Sequence, residues 1–203
     1  MLFQGEDNDE GVVDDEHDYG FLRFTSIVPP FMVFGLPRSC TAWFSTLLSL
    51  GSRTCFHEVE TTCNSFDEFF NKIEGQGNSS TVAWTLLPQL IQRWPNLRFV
   101  WLQKDPSSCE HSLQNLGVYN MSRLDLESAS LAAERAGAKN QIVVDANSLD
   151  IGTAETVWRH LIPDEPFPII KAKNLLRMNV RLLDTEFEDV STRQIPWLME
   201  ALA

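Results

Sequence analysis

The chain predicts a three-layer α/β/α domain with a mainly parallel central sheet. Short apolar runs bounded by turn residues recur at Phe31–Phe34, Leu97–Leu102 and Gln141–Asp145. Runs of that length without alternation read as strands covered on both faces, as in a parallel sheet. Between them lie segments with apolar residues at helical spacing: Trp43, Phe44, Leu47 and Leu48, then Phe66, Phe69, Phe70 and Ile73. Helix signals separate the two kinds, with a capping box at Ser65–Glu68 and Asp105-Pro106 at another helix start.

Taken in order, Phe21–Val28 reads as an edge strand or an extended lead-in, stopped by Pro29-Pro30. The first core strand, Phe31–Phe34, is followed by Gly35, a turn at Leu36–Cys40 and an amphipathic helix ended at Gly51. Thr54–Phe56 predicts a short strand, and the aromatic stripe after Ser65 a helix whose rings form core or pocket wall. Gly75–Ser80 reads as a loop, Thr81–Trp84 as a short strand, and Leu86–Trp94 as a helix. After the strand Leu97–Leu102, Asp105-Pro106 opens a helix to about Leu116, stopped by Gly117. Asp125–Ala136 predicts a helix, Gln141–Asp145 a strand, and Thr153–Leu161 a helix ended by Pro163.

Composition narrows the function. The 203 residues suffice for a single domain with a sizeable core, expected over residues 21–203. Net charge is −12, but residues 1–20 hold eight acids and no Lys or Arg, so the remainder stands at −4. That segment is expected to be a flexible acidic tail. Its Leu2-Phe3-Gln4-Gly5 resembles a 3C-type protease recognition sequence, expected for the remnant of a cleaved tag. Such an acidic chain argues against long nucleic acid as a partner. No apolar run approaches a membrane span and no signal-peptide layout opens the chain, so no membrane partner is expected. Cys40, Cys55, Cys63 and Cys109 show no metal-ligand spacing, which predicts free thiols, a cytoplasmic setting and no metal.

Two stretches carry chemistry. Gly35-Leu36-Pro37-Arg38-Ser39-Cys40-Thr41 joins a strand to a helix, where backbone N–H groups and the positive helix end favour an anion. It is not a Walker A loop: with Gly35 as the first Gly of that motif, Cys40 stands at the second Gly and Thr41 at the Lys. Pro37-Arg38-Ser39-Cys40-Thr41-Ala42-Trp43 resembles the 5′-phosphosulfate loop of sulfotransferases, Pro-Lys/Arg-Ser-Gly-Thr-Thr-Trp, departing at Cys40 and Ala42. Lys104-Asp105-Pro106, also after a strand, is similar to the Arg-Asp-Pro whose Arg binds the 3′-phosphate in that family. Ser112 falls eight residues on, where the family has a Ser on the same phosphate. A phosphate dianion needs a fixed cation and hydroxyl donors; Lys supplies a point charge in place of a bidentate fork.

The resemblance implies a P-loop NTPase-like sulfotransferase fold and transfer of a sulfuryl group from 3′-phosphoadenosine 5′-phosphosulfate (PAPS), leaving 3′-phosphoadenosine 5′-phosphate (PAP). The acceptor would be a hydroxyl or amine of a small molecule or sugar. Arg38 would stabilise the bridging oxygen and 5′-phosphate, and Pro37, Ser39, Cys40, Thr41 and Ala42 would form the loop around them. Lys104 and Ser112 would hold the 3′-phosphate. Family members place a Glu or His just past the second strand; here that is His57-Glu58, with Glu58 the chosen base, His57 the base itself or its partner, and Glu60 a third option. No motif selects among Arg123, Lys171, Lys173, Arg177 and Arg181 as further phosphate cations. A nucleotide kinase or NTP binder and a non-catalytic binding protein of the same fold are the alternatives.

Overall fold

The computed structural model describes residues 28–115, 131, 134 and 137–178. Five strands form one all-parallel sheet: β1 Phe31–Gly35, β2 Cys55–His57, β3 Gly77–Ser80, β4 Arg98–Gln103 and β5 Asn140–Asp145. Their order is β2-β3-β1-β4-β5. The central strand β1 is buried along its whole length, as its unalternating apolar run requires. Phe31 stands level with Gly77 on one side and Arg98 on the other. A side chain at Gly77 would strike the Phe31 ring, so glycine lets that ring lie across β3.

Side chains alternate across the sheet and divide the core in two. Phe31, Val33, Val100 and Leu102 point to one face, under α1 (Thr41–Leu48), α5 (Ile151–Leu161) and α6 (Ile169–Arg177). Met32, Phe34, Phe99 and Trp101 point to the other, under α2 (Phe66–Ile73) and α3 (Leu87–Arg93). There the Phe34 and Trp101 rings lie 5.2 Å apart, and Phe99 meets Trp101 edge-on at 5.7 Å. The division follows from chain direction. The β1-to-β2 crossing runs one way along the sheet, while β2-to-β3 and β3-to-β4 run the other. Right-handed crossovers then place α1 opposite α2 and α3.

The α/β architecture expected from the sequence is present, with helices on both faces of a parallel sheet. Two local expectations are corrected. Gly75–Ser80, read as a loop, contains β3, whose sequence Gly-Asn-Ser-Ser is fully buried. Thr81–Trp84, read as a strand, is a bend leading into a 3-10 turn at Ala83–Leu86. The physical reason is the same for both: β3 is held by side-chain hydrogen bonds that propensity does not register, and Ser80 Oγ accepts from the N–H groups of Val82 and Ala83 and curls the chain. Helix α6 lies beyond Pro163, where the sequence pattern predicts no element. The acidic segment 1–20, the lead-in at 21–27 and most of the helix expected at Asp125–Ala136 lie outside the described residues. Among the described residues no helix is long and apolar enough to cross a membrane.

Candidate anion-binding site at the carboxyl edge of the sheet

Because every strand runs the same way, the turns after β1, β2, β3 and β4 share one edge, where ligands of open α/β sheets bind. The β1 turn is a tight cradle. Ser39 N–H donates to the Leu36 carbonyl at 3.0 Å, and α1 starts at Thr41 with no side chain capping its first turn. Arg38 and Cys40 have φ of 72° and 71°. Left-handed residues interleaved with others curl backbone N–H groups around anions. Ser39 is fully buried, and its Oγ has no hydrogen-bond partner. A Cβ at Gly35 would collide with that Oγ and meet Leu102 Cβ at 3.0 Å, so glycine allows the turn to fold back on the strand.

The second stretch meets the first here. Asp105 caps α4 (Pro106–Gln114) by accepting from Ser108 N–H at 2.9 Å and Ser107 N–H at 3.4 Å. The Ser108 hydroxyl and N–H hold the Asp105 carboxyl below its usual range. This cap fixes where α4 begins and so where Ser112, two turns on, stands. Arg38 Nε donates to Ser112 Oγ at 2.9 Å, and Lys104 Nζ donates to the Arg38 carbonyl at 2.8 Å. Two side chains that stand 66 and 74 positions along the chain thus converge on Arg38.

Cys40 is half-buried and Cys109 fully buried. Burial pushes the Cys40 thiol up against the opposing pull of Lys104 and Arg38, and does the same to Cys109 against Lys104. Both thiols therefore stay protonated near neutral pH and are poor nucleophiles. All four cysteines are free thiols.

At the end of β2, His57 Nε2 lies 3.2 Å from Thr41 Oγ1, the first hydroxyl of α1. Glu58 is nearly buried, at 8% exposure, with φ 51°, and its Oε1 accepts from Thr81 Oγ1 at 2.6 Å. Glu60 is fully buried. Its carboxylate accepts from Asn78 Nδ2 at 2.8 Å and from Ser80 Oγ, and desolvation pushes it up to about 7 despite both bonds. Glu60 thus points into the protein and cannot reach a substrate hydroxyl. Arg38, Cys40 and Glu58 are the non-glycine residues at positive φ among the described residues, each costing on the order of 1 kcal/mol, and all three sit at this edge.

The other expected residues are placed as follows. Pro37 is half-buried in the turn; Ala42 lies in the first turn of α1, its carbonyl accepting from Ser45 and Thr46. Lys171, Lys173 and Arg177 are exposed on α6, while Arg123 and Arg181 lie outside the described residues. Phe69 and Ile73 enter the core, whereas Phe66 and Phe70 line a groove of about 410 Å³ with Gln89 and Arg93 that shares no residue with the cradle. Among the described residues no three His, Cys, Asp or Glu side chains converge as a metal site.

Sequence reasoning missed Asn78, Ser79 and Thr81. Ser79 Oγ donates to the Thr41 carbonyl at 2.8 Å, and Ser79's own carbonyl accepts from Glu58 N–H at 3.0 Å. The signal available was an unbroken run of small polar residues, Asn78–Thr81, directly after a glycine where a strand was needed between α2 and α3. No protein-family model matches the chain, no curated protein matches its sequence, and no solved structure matches its fold.

Proposed function

We propose that the chain is a PAPS-dependent sulfotransferase with the P-loop-like fold of that family. The observation that carries this reading is the convergence at Arg38: the β1 turn, Lys104 after β4 and Ser112 on α4 meet within hydrogen-bonding distance. PAP carries phosphates at its 3′ and 5′ positions, so it needs two such groups of donors close together. The donor set fits it: Ser39 has a buried hydroxyl with no partner, α1 begins without a side-chain cap, and Arg38 and Lys104 supply positive charge.

In this reading the turn residues 37–42 with Thr41 hold the 5′-phosphate, Lys104 and Ser112 hold the 3′-phosphate, and Arg38 stabilises charge on the leaving phosphate oxygen. PAPS supplies the sulfuryl group. A sugar or small-molecule hydroxyl or amine must lose its proton as it attacks, and His57 is the group in contact with the cradle through Thr41. Glu58, its neighbour, keeps a carboxylate at the same edge and serves as the alternative base. The free thiols support a cytoplasmic setting.

The test is thermal stabilisation by PAP compared with ATP plus magnesium. PAP should raise the melting temperature and ATP plus magnesium should not; the opposite result overturns the proposal in favour of an NTP site. Arg38→Ala should abolish both the PAP shift and transfer while the protein still folds, since Ala meets the same left-handed backbone cost at that position.

A further inference from the structure

The buried polar strand β3 raises a question that phosphate binding does not answer: why a strand beside the centre of the sheet is built from Gly-Asn-Ser-Ser. Its alternation supplies the reason. Ser79 shares a face with Val33 and His57, the face under α1, and bonds the Thr41 carbonyl at the cradle. Asn78 and Ser80 share the opposite face with Met32 and Phe34, under the 3-10 turn Val59–Thr62. There Asn78 Oδ1 accepts from Val59 N–H at 3.3 Å while its Nδ2 donates to Glu60 at 2.8 Å. Ser80 donates to the other carboxylate oxygen, having committed its lone pairs to Val82 and Ala83 N–H.

We propose that Glu60 is a positioning residue that, through Asn78 and Ser80, clamps the turn after β2 onto β3 and so sets His57 against Thr41. This rests on the reading above in assigning His57 a role toward the acceptor. The clamp has a defined polarity. Val59 N–H fixes the amide of Asn78 with its oxygen toward Val59 and its nitrogen toward Glu60. The Val82 and Ala83 N–H groups fix the Ser80 proton toward Glu60. Both neighbours are donors, so the clamp is complete when Glu60 is ionised and accepts at both oxygens. Glu58, between His57 and the clamped turn, is held in its left-handed conformation from three sides. Its N–H bonds Ser79, its carboxylate accepts from Thr81, and its carbonyl accepts from Thr61 N–H at 3.0 Å. A shift of the turn therefore passes through one residue to His57.

Polarity supplies the test. Glu60→Gln places an NH₂ against a donor and breaks the clamp. Glu60→Gln combined with Asn78→Asp restores every bond with the polarity reversed: the amide introduced at position 60 donates to the carboxylate introduced at position 78, which still accepts from Val59 N–H. Ring resonances of the four histidines, recorded by carbon–proton NMR on the full chain without any ligand and well above pH 7, where Glu60 is ionised, report the outcome. His160 bonds the carbonyls of Phe99 and Asn140 near the opposite edge of the sheet and serves as the internal control. The expected result is a displaced His57 signal with His160 unmoved in the single variant, and a return of His57 to its parent position in the double variant. If the single variant does not fold, the double variant should fold and show the parent His57 signal. An unmoved His57 in a folded single variant, equal displacement of His57 and His160, or a double variant that fails to restore the parent signal overturns the proposal. No sulfuryl donor enters the measurement, so failure here leaves the PAP test standing, and failure of the PAP test leaves the clamp standing.

Discussion

Raising the pH from 4.5 to 8 charges Glu60 in place, and the stability of the protein should record it. The carboxyl rises from an ordinary 4.5 to about 7 because burial outweighs the bonds from Ser80 and Asn78, with the nearby Glu58 charge adding to the rise. Between those two values the folded protein holds a proton that the unfolded chain has released. The stabilisation is therefore full below pH 4.5 and is lost as pH climbs through 7. At about 1.4 kcal/mol for each tenfold change in proton affinity, the loss is about 3 kcal/mol. That is a large part of the 5–15 kcal/mol typical of a domain, on the order of which this fold's stability is expected to lie. Urea denaturation at several pH values, with the parent compared against Glu60→Gln, isolates the effect. The variant carries a fixed cost of about 1–3 kcal/mol from opposing donors at every pH. Its deficit should then shrink steadily between pH 5 and 8 as the parent takes on its buried charge. Parallel curves for the two proteins over that range would refute the argument, because they would mean Glu60 titrates alike folded and unfolded.

Two further substitutions test the cradle. Gly35→Ala drives a methyl into Ser39 Oγ and against Leu102 Cβ, both on fully buried residues, and should cost about 1–3 kcal/mol in urea denaturation along with the PAP-induced thermal shift. Unchanged stability would mean the turn is looser than its geometry implies. At Cys40, φ 71° suits glycine and disfavours a β-branched residue. Cys40→Gly should stay within about 1 kcal/mol of the parent, and Cys40→Val should fall below it by about 1–2 kcal/mol, read from urea midpoints; Val matching Gly would remove backbone strain from the account.

The position of Cys40 also bears on its resemblance to the sulfotransferase loop. The family has glycine there, and the left-handed backbone is the physical requirement glycine meets without cost. Cys40 meets it at a cost on the order of 1 kcal/mol, with the turn pinned on either side by Lys104 on the Arg38 carbonyl and Ser79 on the Thr41 carbonyl. Departure from the motif therefore leaves the turn's conformation in place, and the thiol stays neutral through burial.

What the sequence determined by itself is the part whose signal is local. Phe31–Gly35 and Arg98–Gln103 are legible because unalternating apolar runs have few other places to go. The Asp105-Pro106 start of α4 is legible because a cap and an N1 proline act on their own backbone. Arg38 and Lys104 could be selected because each follows a strand and carries a charge suited to phosphate, and Ser112 because its spacing from Lys104 resembles the sulfotransferase pattern. Tertiary structure decided the rest. Strand β3 exists because Asn78, Ser79 and Ser80 find Glu60, Thr41 and two backbone N–H groups, none of them visible as a period in the chain. It also sorted the three candidates after β2: His57 faces the cradle, Glu58 is bonded at its edge, and Glu60 is buried away from it. An apolar side chain announces burial by its own transfer free energy, whereas a buried polar one is stable only with a partner, and that partner is chosen by the fold.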